Sequence, residues 1–166
     1  MSVIRPVNAR FAVLWDEGPT LLVTRDGGAT LEKAEPPYDQ YGGHGFDMRS
    51  PESGWFSRSF LLHRTETGPG AWQIVPMQEQ QEAQGVALTP DGRVWALVID
   101  VSDTDTPVSL LLSSSDEGKT WVRHDLSAFR GASSLTRCGL SSLCLGGADG
   151  EIVSHDGGLT WARRNK

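Results

Sequence analysis

An all-β chain of four repeated units is predicted by three observations. Four copies of one short turn pattern recur along 166 residues, each preceded by a brief apolar run. Their acidic positions, Asp26, Glu66, Asp116 and Asp156, stand 40, 50 and 40 residues apart, a period that marks a repeat architecture. No stretch of ten or more residues has amphipathic helical spacing with proper caps. Four strands fit each period, so the predicted fold is a small β-propeller of four four-stranded antiparallel blades.

Each blade is anchored by placing its turn between the third and fourth strands, where the repeat family that the turn pattern resembles carries it. Blade one takes Ser2–Val7, Arg10–Trp15, Thr20–Thr24 and Leu31–Glu35. Blade two takes Gly45–Arg49, Gly54–Ser57, Ser59–Arg64 and Ala71–Val75. Blade three takes Gly85–Thr89, Val94–Asp100, Val108–Ser113 and Thr120–His124, with Thr89-Pro90-Asp91-Gly92 as a strong turn between the first two. Blade four takes Leu135–Gly139, Leu143–Gly146, Gly150–Ser154 and Thr160–Arg164. The polar run 78–84 reads as loop. The whole chain, 1–166, forms one domain with blades at about 1–36, 44–76, 84–125 and 134–166. A closed monomeric ring is expected, since closure removes exposed sheet edges. A dimer, and a fragment of a larger propeller, are the alternatives.

The turns share a physical logic. In Ser154-His155-Asp156-Gly157-Gly158-Leu159-Thr160-Trp161 and Ser114-Ser115-Asp116-Glu117-Gly118-Lys119-Thr120-Trp121, the Asp and Ser side chains can accept hydrogen bonds from turn N–H groups. Gly28, Gly118 and Gly158, two positions after the acid, supply positive φ without a Cβ clash. Trp121 and Trp161 open the return strand and can cover the turn. The first copy, around Asp26, ends in Leu31; the second, with Glu66, Gly68 and Trp72, is degenerate and one residue longer.

The pattern S/T-x-D-x-G-x-T-W resembles the Asp-box, or bacterial neuraminidase repeat. That motif occurs in sialidases, sortilin-type receptors, endoglucanase propellers and a photosystem assembly factor, and the resemblance covers nearly the whole chain. It implies that the boxes brace turns on the face opposite the functional one. The full sialidase constellation is not matched: that family uses six blades, an arginine triad, a Tyr–Glu pair and an early Arg-Ile-Pro. This chain has Ile4-Arg5-Pro6 and only two tyrosines, Tyr38 and Tyr41.

Composition narrows the function classes. Net charge is −6, and the one basic cluster, Arg163-Arg164 with Lys166, is terminal, which disfavours nucleic acid and favours a basic partner. No apolar run reaches a membrane span. The N-terminus shows no apolar signal segment, so a cytoplasmic setting is expected. Cys138 and Cys144 read as two small buried thiols, a disulfide being the alternative, and they make no zinc pattern. No nucleophile elbow, H-E-x-x-H, P-loop or dinucleotide fingerprint occurs, so the chain reads as a non-enzyme with no cofactor or metal. Asp100, Asp103 and Asp105 lack the Gly and terminal Glu of an EF-hand.

The expected function is therefore protein binding, of the kind a dedicated inhibitor or immunity protein performs. The rival reading is a carbohydrate-binding or degenerate sialidase-like propeller. Residues expected to share the partner face, opposite the boxes, are Tyr38, Asp39, Tyr41, Asp103, Asp105, Phe129 and Arg130: aromatic anchors among acidic groups.

Overall fold

In the computed structural model, sixteen strands form among the described residues, 3–15, 21–34, 45–50, 52–64, 72–103, 105–126, 129 and 131–164. Blade one holds β1 (Val3–Pro6), β2 (Ala12–Trp15), β3 (Leu21–Thr24) and β4 (Glu32–Ala34). Blade two holds β5 (Gly45–Met48), β6 (Gly54–Ser57), β7 (Leu61–Arg64) and β8 (Gln73–Val75). Blade three holds β9 (Gln81–Leu88), β10 (Val94–Asp100), β11 (Val108–Ser114) and β12 (Val122–His124). Blade four holds β13 (Ala132–Arg137), β14 (Leu143–Gly147), β15 (Gly150–Ser154) and β16 (Ala162–Arg163). Each blade is an antiparallel meander in chain order, and the chain is a four-bladed β-propeller.

Strand composition follows position in the blade. The second strands lie between neighbouring blades and are apolar on both faces: β6 is buried throughout, and β10 is buried from Val94 to Val98. The fourth strands, β4, β8, β12 and β16, are only two or three residues long and mostly exposed. Short polar edges of this kind resist pairing with another chain.

Three apolar clusters fill the seams between blades. Phe11, Val13, Leu21 and Val23 of blade one meet Phe46, Met48, Phe56 and Leu62 of blade two. Trp55 and Leu61 of blade two meet Val86, Val94, Ala96 and Val98 of blade three. Trp95, Leu97 and Leu111 of blade three meet Leu135, Leu143 and Leu145 of blade four. Among the described residues no such cluster joins blade four to blade one.

Two corrections follow from backbone pairing. β9 begins at Gln81, inside the run read as loop, because β10 extends past a bulge and pairs Gln81, Glu82 and Ala83 with Asp100, Ile99 and Val98. Side-chain polarity hides such a strand, since the ladder is made by the backbone. Cys138 and Cys144 form a disulfide rather than two thiols: the β13–β14 turn brings their Cα atoms to 5.8 Å, within bridging range. The ends of the chain, Met1, Ser2, Asn165 and Lys166, on which the expected closed ring bears, lie outside the described residues.

Candidate functional site

The repeated turns have one geometry in three blades. Asp26 Oδ1 accepts from Thr24 Oγ1 at 2.9 Å and from Thr30 N at 2.9 Å, while Oδ2 accepts from Thr30 Oγ1 at 2.6 Å. Asp116 does the same with Ser114 (2.7 Å) and Thr120 (2.9 and 2.6 Å). Asp156 repeats it with Ser154 (2.8 Å) and Thr160 (2.9 and 2.6 Å). The serine or threonine that donates to the acid also accepts from Gly28 N, Gly118 N or Gly158 N at 2.7–2.9 Å. These donors, led by the threonine hydroxyl, hold all three carboxyls at about 2, below the ordinary 3.8. A carboxylate so saturated is a turn brace and a poor proton donor. The second turn, with Glu66 and Gly68, lies outside the described residues.

The same turns also join blades. Trp55 and Trp95, each the second residue of its blade's second strand, meet the box tryptophan of the following blade edge to face. Ring centroids are 6.2 Å apart for Trp55–Trp121 and 6.2 Å for Trp95–Trp161. The box glycine fits beneath this contact: a Cβ on Gly118 would stand 2.8 Å from the Trp55 ring, and one on Gly158 would overlap the Trp95 ring. Trp161 Nε1 donates to Gly158 O at 3.1 Å, covering its own turn. The corresponding Gly28 of blade one meets nothing within 4 Å, and Leu31, at the tryptophan position, is 52% exposed. Blade four carries Cys144 where blades two and three carry Trp55 and Trp95.

At the box end of the axis, Asp47 and Arg137 tie the first strands together. Arg137 Nη2 donates to Asp47 Oδ1 at 2.7 Å and lies 3.5 Å from Pro6 O. Asp47 also accepts from Met48 N at 2.9 Å and, through Oδ2, from Leu88 N at 2.8 Å. Residues from β5, β9 and β13 thus meet at one buried carboxylate, whose side chain is 1% exposed, and Arg137 extends from it toward Pro6 of β1. Sequence reading missed this pair, although a lone acid in the apolar run Phe46-Asp47-Met48 was the available signal.

Two residues expected on the partner face are found at the opposite end of the sheets. Asp103 and Asp105 lie there on the exposed β10–β11 loop. Asp103 accepts from Asp105 N and Thr106 Oγ1, and Asp100 accepts from Ser102 N at 3.0 Å; these bonds hold both carboxyls below the usual range. Phe129 is at this end too, but it is buried at 2% exposure in the seam between blades three and four, so it is a core residue and no contact anchor. Tyr38, Asp39, Tyr41 and Arg130 lie outside the described residues. A cavity of about 670 Å³ opens beside Phe129, with Val108, Leu110, Arg123, His124 and Leu126 in its walls. Among the described residues no three His, Cys, Asp or Glu side chains converge as metal ligands.

Two histidines brace the tryptophans from their outer side. His63 stacks on Trp55 at 4.3 Å, and His124 lies on Trp95 at 4.5 Å with Nε2 2.8 Å from Ser113 Oγ. Burial lowers both below the ordinary 6.5. The sign for stability follows directly. Groups with depressed folded values support the fold above their ordinary value and withdraw that support as pH falls through the folded one. Tm is therefore expected to decline in two stages on acidification, first below about pH 6.5 from His63 and His124, then below 3.8 from Asp26, Asp116 and Asp156. Thermal melts across pH check this, and the His63→Leu/His124→Leu double variant should lose the first stage only.

No known family model matches the chain, and no curated protein is similar to it in sequence. Solved structures match in fold. YCF48 from Cyanidioschyzon merolae is 23% identical with a TM-score of 0.51, over 72% of this chain and 36% of that one. The GH74 xyloglucanase from Xanthomonas campestris is 17% identical with a TM-score of 0.57, over 89% of this chain and 25% of that one. The α-L-arabinanase of Penicillium chrysogenum is 12% identical with a TM-score of 0.51, over 96% of this chain and 57% of that one. The likeness is one of β-propeller architecture, and this chain spans a quarter to a little over half of those proteins.

Proposed function

We propose that the chain is a non-catalytic, protein-binding propeller module of the Asp-box type, working through the face away from its acidic turns. The observation that carries this reading is the distribution of acids. The box carboxylates are consumed as turn acceptors at one end of the sheets, while Asp103 and Asp105 stand exposed on the β10–β11 loop at the other, Asp103 bracing that loop, and Pro107 and Val108 just after it line a cavity of about 670 Å³. A negative loop on a scaffold of net charge −6 favours a basic protein partner, and such charge acts first on the rate of encounter. An inhibitor or immunity protein directed at a cationic enzyme has this chemistry.

Affinity capture from the source cells, followed by reconstitution with the purified partner, tests the reading. Asp103→Asn/Asp105→Asn is expected to slow association by about tenfold at low salt, with the difference vanishing as the Debye length shrinks. Asp116→Ala should leave association unchanged in the folded fraction. Saturable glycan binding with no protein partner would replace this reading by the carbohydrate one.

A further inference from the structure

The cavity beside Phe129 has a chemistry independent of any protein partner. Its floor is apolar, from Leu110 at 4% exposure and Phe129 at 2%, and Val108 at the mouth is 50% exposed. Its volume, about 670 Å³, lies in the range of small-molecule sites. Arg123 lines both this cavity and a neighbouring one of about 430 Å³, with Leu110 between them.

Charge is unevenly satisfied around the mouth. Asp100 accepts from Ser102 N, and Asp125 is likewise engaged. Ser109 Oγ donates to Ala132 O at 2.8 Å, and His124 Nε2 is held by Ser113 Oγ. Arg123 makes no hydrogen bond or ion pair among the described residues, although it stands close enough to Asp100 to favour that carboxylate. A guanidinium left open above an apolar floor matches an anionic oxygen pair attached to an apolar body, because its planar fork can donate two parallel bonds.

We propose that this cavity is a binding site for a small amphipathic carboxylate, its apolar body on Leu110, Leu126 and Phe129 and its carboxylate on Arg123. The site goes beyond the protein-binding reading and needs no partner, so either can fail alone. A matched pair of probes, 1-naphthoate and 1-naphthylmethanol, separates the two halves of the site. Titration of the full chain is followed by the NMR resonances of His124 and by calorimetry.

Wild type is expected to bind naphthoate saturably, more tightly than the alcohol, with a shift at His124. Arg123→Gln should weaken naphthoate by about tenfold or more while leaving the alcohol unchanged. Val108→Asp, at an exposed position that spares the core, should weaken both probes. Arg163→Gln, remote from the cavity, should change neither. Absence of a saturable His124 shift overturns the proposal, as does naphthoate affinity unaltered by Arg123→Gln or equal affinity for both probes.

Discussion

Replacing Arg137 by Ala is expected to cost about 3 kcal/mol or more of folding stability, the scale measured when one partner of a buried ion pair is removed. The pair is heavily shielded, with side-chain exposures of 15% for Arg137 and 1% for Asp47. Asp47 would keep its bonds from Met48 N and Leu88 N, but would lose its ion pair with the Arg137 guanidinium. The loss should fall on the ring, since the guanidinium also reaches Pro6 O of blade one. Urea unfolding checks the magnitude. Arg137→Lys should recover part of it as a point charge, and Asp47→Asn in the Arg137→Ala background should recover part by removing the buried charge itself. A cost under about 1 kcal/mol would show that the pair only balances its own desolvation.

Gly158→Ala and Gly28→Ala form the second test, a matched pair at the same turn position. Both glycines have positive φ, 95° and 99°, so alanine carries about 1–2 kcal/mol of backbone strain at either. They differ in what lies beyond. Alanine at 158 must push its Cβ into the Trp95 ring, adding about 1–3 kcal/mol of overpacking, while alanine at 28 meets open space. Gly158→Ala should therefore cost about 2–5 kcal/mol, clearly more than its counterpart. Paired thermal and chemical melts measure the difference, and equal costs would remove the blade three to blade four contact from the account.

Much of the architecture was legible because the box residues are both chemically specific and evenly spaced. Asp26, Asp116 and Asp156 place the third and fourth strands of three blades, and the apolar runs beside them place the rest. What stayed hidden depends on long-range partners. Asp47 and Arg137 are 90 positions apart, and neither reads as more than a charge near a strand end. Phe129 beside an arginine in a polar link looks like a contact residue, yet the link tucks it beneath Leu135 and Leu143. Trp55 and Trp95 could be read as core, but their role as seats for the next blade's glycine needs the packed seam. Asp103 and Asp105 are exposed and Phe129 is buried, a difference the sequence does not carry because a loop's exposure is set by the sheets that hold it.

The unequal seams bear on how the molecule moves. Blades two, three and four are joined by aromatic contacts and shared apolar clusters, while blade one shares a cluster with blade two and its turn residues Gly28 and Leu31 stay open. Opening events start where the least buried surface must be exposed. Amide protons of β2 and β3 should therefore exchange with solvent sooner than those of β10 and β14. The propeller would breathe like a clasp, three blades staying shut while the first swings.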